Sequence, residues 1–138
     1  MAALEFARRR IKPDWVRIEM QADLLPHVRH CADRGQEHFL CAGIDGANEI
    51  INIRAVFIGL VDRTHVHPRE AFADALTVRA SAVIVSHNHP AGSLEPSPAD
   101  LDVTRELKAA GELLDIGLPD HIIFNRTAYF SFLEAGCL

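Results

Sequence analysis

The chain has 138 residues, of which 49% are hydrophobic and 24% charged, as in one globular domain and unlike a disordered chain. At this length about two-thirds of the surface of the unfolded chain becomes buried, so folding requires neither disulfides nor a structural metal. Its 14 Lys and Arg residues against 19 Asp and Glu residues give a net charge of −5, which disfavours direct nucleic-acid binding. The chain has eight histidines, which is more than usual for this length, and this excess remains to be explained.

The first half of the chain is predicted to form a strand, a short helix and the two strands of a β-hairpin. These segments are, in chain order, 15–20, 21–35, 37–45 and 48–62. Alternation of apolar and polar residues predicts the first strand, and Pro26 starts or breaks the short helix. Asp45 and Gly46 lie between two β-rich runs, and this pair of turn residues indicates a hairpin.

The second half is predicted to form a helix, a buried strand, a longer helix and two short strands. These segments are 68–79, 81–87, 97–117, 121–124 and 128–132. Pro68 is a favourable first residue for the shorter helix. Ser97 and Asp100 form a capping-box pattern at the start of the longer helix, and Gly117 is predicted to end it.

The order of these elements predicts one α/β domain with a single mixed sheet between helices. Residues 1–36 are expected to form an N-terminal strand and helix extension of the same domain as residues 37–138. No apolar signal-peptide core or membrane span is found in the sequence. The cysteines form no CxxC pair, and their odd number favours a reducing compartment, so we expect the cytoplasm. They are Cys31, Cys41 and Cys137.

Two histidines and an aspartate form the sequence pattern that indicates a catalytic metal site. His87 and His89 close the buried strand, where residues two apart point to the same side. Ten residues then separate His89 from Asp100, which lies in the first turn of the longer helix. Two imidazole nitrogens and a carboxylate suit catalytic Zn²⁺, which takes three protein ligands and leaves a fourth position for water. The predicted metal ligands are therefore His87, His89 and Asp100.

These residues carry a resemblance to a known family. The pattern H-x-H-P followed by S-x-x-D resembles the JAMM, or MPN-type, metalloprotease motif. More closely, VHPREAF at 66–72, SHNHPAG at 86–92, EPSPADLDVT at 95–104 and DHIIF at 120–124 look like the JAMM-like (JAB) domain of the RadC family. The resemblance runs from about Glu37 to the C-terminus. It implies a three-layer fold similar to that of cytidine deaminases.

The resemblance also implies a zinc-dependent hydrolase that cleaves peptide or isopeptide bonds. Its pattern requires an upstream glutamate, and Glu37 is the residue matched to it, as general base toward zinc-activated water. Glu70 is the rival for this role. Ser97 would stabilise the oxyanion through its hydroxyl. The substrate would be a peptide or a protein conjugate, and a homodimer is compatible with the sequence.

A second hypothesis is a non-catalytic module that acts through partners in DNA repair, recombination or a mobile element. The RadC name carries an association with DNA repair, but the acidic composition does not favour DNA as a direct ligand.

Other residues receive plainer interpretations. His65 and His67 form a second H-x-H pair without a carboxylate at a matching distance, so a supporting or structural use is favoured over a second metal. His121 is expected to support the site or to pack in its strand. A zinc deaminase would need Glu in place of His89 and a later P-C-x-x-C, which the sequence lacks. Cys41 is expected to pack in the core, not to act as a protease nucleophile.

Overall fold

The computed structural model describes residues 17–138, which form a five-stranded sheet flanked by helices. The strands are β1 (His38–Ile44), β2 (Ile50–Ile58), β3 (Ala82–Asn88), β4 (His121–Phe124) and β5 (Tyr129–Ser131). The helices are α1 (Leu25–Val28), α2 (Pro68–Ala71), α3 (Ala73–Val78) and α4 (Pro98–Leu114). Short 3-10 turns, Gln21–Leu24 and Arg29–Cys31, flank α1.

The sheet is mixed, with the strand order β2-β1-β3-β4-β5. β3 and β4 run parallel, because α4 carries the chain from the end of β3 back to the start of β4, and the other neighbouring strands are antiparallel. The predicted α/β fold with a single mixed sheet is confirmed, and so is the hairpin of β1 and β2.

Side-chain alternation along the strands builds a hydrophobic core on each face of the sheet. On one face, Phe39 and Val85 pack with residues of α2, α3 and α4. On the other, Leu40 and Ile84 pack with α1 and its flanking turns. Neighbouring strand residues thus enter opposite cores, and helices cover both faces. Within residues 17–138 no helix combines the length and the apolar character needed to cross a membrane.

The predicted first strand at 15–20 is wrong for its described part, and residues 15 and 16 lie outside the described residues. Arg17 makes an isolated bridge to Glu49, after which the chain turns. The Asp23 carboxylate accepts the backbone N–H groups of Glu19 and Met20, at 2.8 Å and 3.0 Å. These bonds bend the backbone into the 3-10 turn at Gln21 instead of leaving it extended for pairing.

The predicted end of the long helix at Gly117 is also wrong. α4 ends at Leu114, and Asp115 takes the left-handed conformation with φ of 58°. Ile116 N–H then donates to the Gly111 carbonyl at 2.9 Å, as in a Schellman end. Gly117 forms a bridge to Ala82 at the start of β3. Asp tolerates the left-handed region better than most residues, so it ends the helix in place of a glycine.

The helix predicted over 68–79 is interrupted. α2 and α3 are separate short helices that meet at Phe72, which is buried against the sheet.

Candidate metal centre

The candidate site lies at the carboxyl end of β3, where the chain leaves the sheet for α4. His87 is next to last in β3 and fully buried, and His89 follows directly after the strand. Asp100 lies in the first turn of α4 and is 1% exposed. Strand alternation directs the two histidines to one side, and Pro98 and Ser97 start the helix so that Asp100 faces them. The three side chains predicted from the sequence are therefore brought together.

Four possible ligand atoms of these residues converge, one on each histidine and both carboxylate oxygens of Asp100. His87 Nε2 lies 3.0 Å from His89 Nε2 and 3.2 Å from Asp100 Oδ1. His89 Nε2 lies 3.1 Å from Asp100 Oδ2. Zinc binds nitrogen and oxygen at about 2.0–2.2 Å, so tetrahedral ligand atoms stand roughly 3.3–3.5 Å apart. The observed separations of 3.0–3.2 Å are slightly shorter than these, and the nitrogen and oxygen ligand atoms are of types that zinc binds.

The tautomer of His89 follows from its second ring nitrogen. Nδ1 lies 2.9 Å from the Ser93 carbonyl, which can only accept, so Nδ1 carries the proton. A neutral His89 therefore presents a lone pair on Nε2, toward the other two residues. The Asp100 carboxylate raises the pKa of His89, because it would accept a hydrogen bond from a proton on Nε2, and partial burial opposes this only in part.

Asp100 serves the helix and faces the histidines at the same time. Its backbone N–H donates to Ser97 Oγ at 3.0 Å, and its Oδ2 accepts from Ser97 N–H at 2.8 Å, which completes the predicted capping box. Burial on its own would raise the pKa of Asp100, but its contacts with His87, His89 and the Ser97 N–H outweigh burial and hold the pKa well below the ordinary value. The carboxylate is therefore ionised, as a metal ligand must be.

His87 has a second neighbour on the side away from Asp100. His87 Nδ1 lies 2.8 Å from His121 Nε2, and His121 Nδ1 lies 2.6 Å from Thr104 Oγ1. Burial holds the pKa of His121 well below its ordinary value, so this ring is neutral. The sequence analysis named His121 only in general terms and missed Thr104. The spacing of four residues between Asp100 and Thr104 on one helix face was the available signal.

Glu37 lies beside the histidines, directly before β1. Its Oε2 accepts the Val61 N–H at 2.7 Å, and its Oε1 lies 3.8 Å from His89 Nε2. Ligand atoms of Glu37, His87 and His89 all lie within 4.8 Å of one another, so these residues form a possible metal-binding group. The Asp100 oxygens are nearer to the two histidines than Glu37 Oε1 is.

Asn88 connects the two histidines to the segment that carries Glu37, a contact that the sequence analysis missed. Its Oδ1 accepts the His38 N–H at 2.7 Å, and its Nδ2 donates to the Gln36 carbonyl at 3.2 Å. The fully buried amide thus bonds to the residues on either side of Glu37.

The remaining candidates lie elsewhere. The Glu70 side chain is exposed and lies 3.9 Å from Arg69, and the metal-binding group described above contains Glu37 in its place. His65 is exposed and bonds Asp62 at 2.7 Å, and His67 stands at the N-cap position of α2 without a side-chain bond to the helix.

Cys41 is buried in β1, as expected for a core residue. Burial raises the pKa of its thiol, which disfavours the reactive thiolate.

Comparison with known proteins gives consistent matches. The family model of the RadC-like JAB domain matches residues 18–137. A UPF0758 protein of Methanospirillum hungatei is 42% identical over 143 residues, covering 100% of this chain and 64% of the relative. One from Trichlorobacter lovleyi is 47% identical over 106 residues, covering 77% of this chain and 46% of the relative. The chain thus spans about half to two-thirds of the length of the curated relatives it matches.

Proposed function

The chain belongs to the family of RadC-like JAB domains, and from this premise we propose that it is a zinc-dependent hydrolase of peptide or isopeptide bonds. The observation that carries the proposal is the convergence of His87, His89 and Asp100 within 3.0–3.2 Å, with a carboxylate beside them. Catalytic zinc sites use three protein ligands and leave one position open.

His87, His89 and Asp100 would hold the ion. Zinc, when bound, supplies a Lewis acid for the scissile carbonyl and a water that ionises near neutral pH. A neutral His89 and the ionised Asp100 supply two of the three required lone pairs.

Glu37 is proposed as the general base. One of its oxygens is fixed by the Val61 N–H, which leaves Oε1 as the atom that faces the site. Oε1 would take a proton from the attacking water and later give it to the nitrogen of the leaving amine, so that one water and one amide become an acid and an amine.

Ser97 is proposed to stabilise the oxyanion. Its Oγ already accepts the Asp100 N–H, so the hydroxyl proton remains free to donate. A donor at this place would stabilise the negative charge that develops on the carbonyl oxygen.

The surface next to Glu37 supports an extended substrate. An open concave surface there is lined by Gly35, Gln36, Glu37, Gly59, Leu60 and Pro90. Leu60 is 66% exposed and offers an apolar contact. Small-molecule sites are usually deep enclosed pockets, whereas a shallow surface suits a polypeptide.

The proposal is tested with Glu37→Gln and its control Glu70→Gln. Libraries of peptides and of lysine-branched isopeptides are incubated with each zinc-loaded protein, and amine release is measured. We expect the parent and Glu70→Gln to cleave equally, and Glu37→Gln to keep its zinc while losing at least about a hundredfold in rate. Full activity in Glu37→Gln would contradict the base assignment. A parent that binds zinc but cleaves nothing in either library would favour a non-catalytic module that acts through partners.

A further inference from the structure

We propose that Thr104 and His121 are positioning residues that keep the ring proton of His87 on Nδ1, so that Nε2 is free to bind a metal. This inference rests on the proposed metal centre. It concerns residues of α4 and β4 that do not touch the ion.

The positions of the ring protons on His121 and His87 follow from the Thr104 hydroxyl. Oγ1 lies 2.8 Å from the Asp100 carbonyl oxygen and 2.6 Å from His121 Nδ1. A carbonyl oxygen only accepts, so the single hydroxyl proton satisfies it. The remaining lone pair of Oγ1 then accepts from His121, which places the proton of that ring on Nδ1.

The order continues to His87. With its proton on Nδ1, His121 has a lone pair on Nε2, which lies 2.8 Å from His87 Nδ1. Only a donor can face this lone pair at that distance, so His87 carries its proton on Nδ1. A neutral His87 then has its lone pair on Nε2, which faces His89 and Asp100.

Packing holds this arrangement in place. His121 is fully buried, and its ring stacks on Phe132 with centroids 4.3 Å apart and contacts Phe39 edge-on at 5.7 Å. Thr104 is 2% exposed. Neither water nor a rotated ring can readily replace these bonds, since both residues are enclosed.

The reversed order is the alternative that an experiment must exclude. In it, Thr104 would donate to His121, and His87 would carry its proton on Nε2, where it blocks metal binding. This order would give up the hydrogen bond from Thr104 to the Asp100 carbonyl. Asp100 therefore has two roles. Its carboxylate faces the histidines of the site, and its backbone oxygen accepts the Thr104 hydroxyl proton and so determines which ring nitrogens carry protons.

The roles of Thr104 and His121 are tested by the zinc affinities of two matched pairs of variants. Zinc dissociation constants are measured by competition with a chelator of known affinity, which needs no substrate. Thr104→Ser keeps the hydroxyl, and Thr104→Val removes it at similar volume. His121→Gln keeps an acceptor and a donor, and His121→Phe keeps only the stacked ring. We expect Thr104→Val and His121→Phe to bind zinc about 10–100-fold more weakly than the parent, and both conservative variants to recover most of the loss.

The ring protons are read directly by long-range ¹H–¹⁵N spectra of the histidines, in metal-free and zinc-loaded parent protein. We expect the His121 proton on Nδ1 in both forms, and a proton on His121 Nε2 in the metal-free form would overturn the inference. Equal zinc affinity in the parent, Thr104→Val and His121→Phe would overturn this inference alone. A parent that binds no zinc would overturn the proposed metal centre as well, so the two failures are distinguishable. The spectra need no variant, so they decide even if a substitution prevents folding.

Discussion

At the scale of single residues, buried polar side chains next to the candidate ligands determine how the site is built. Asn88 stands between His87 and His89 in the chain, yet its side chain points to the segment before β1. It accepts the N–H of His38 and donates to the carbonyl of Gln36, the two residues that flank Glu37. The bonds from Asn88 therefore fix the distance between the histidines and the carboxylate.

Asn88→Ala is expected to lower the free energy of unfolding by about 2–3 kcal/mol, because a buried donor and a buried acceptor lose their partner. Denaturant titration measures the change. Asn52→Ala is the control, since Asn52 Oδ1 has no hydrogen-bond partner and its loss should cost about 0.5 kcal/mol or less. Equal losses in the two variants would show that the Asn88 bonds contribute nothing specific.

The local sequence pattern could indicate His87, His89 and Asp100, whereas Glu37 was named from the family resemblance and His121 only in general terms. His87, His89 and Asp100 lie within 14 residues, where strand alternation and a helix start determine their directions. His121 reaches His87 only because β4 runs parallel to β3, and Glu37 reaches His89 only because β1 pairs with β3. Strand order is set by long-range packing, which no local pattern contains.

At the scale of elements, α4 has the largest part in the candidate site. Its first turn holds Asp100, its second holds Thr104, and its far end returns the chain to the sheet at Gly117. The start of α4 was predictable because Ser97, Pro98 and Asp100 form a local capping pattern. The end of α4 was not predictable, because Asp115 and Gly117 could each have ended the helix. The contact of Gly117 with β3 joins residues that are distant in the chain, so no local pattern indicates it.

Asp115→Gly is expected to raise the free energy of unfolding by about 1 kcal/mol. Asp115 has a φ of 58°, a region in which an L-residue with a side chain is strained and glycine is not. Glu112→Gly, within the exposed part of the same helix, is the control and should lower the free energy of unfolding by about 1 kcal/mol. Thermal and denaturant unfolding of both variants provide the measurement. A destabilised Asp115→Gly would mean that the aspartate side chain stabilises the helix end more than its backbone strain costs.

At the scale of the whole molecule, the composition and element order predicted the fold, since a chain this apolar with alternating β and α patterns has few other arrangements. Two hydrophobic cores, one on each face of the sheet, support the ends of β1, β3 and β4 where the polar groups of the site meet. The histidine excess is explained in part, because three of the eight histidines, His87, His89 and His121, form one cluster in which His87 and His121 are fully buried.

The central claim is that His87, His89 and Asp100 bind one zinc ion, and anomalous diffraction at the zinc edge from crystals of the zinc-loaded protein tests it most directly. We expect one peak per chain, about 2.0–2.2 Å from His87 Nε2, His89 Nε2 and an Asp100 oxygen, with Glu37 farther away. A peak bound by Glu37 in place of Asp100, or no peak at these residues, would contradict the account.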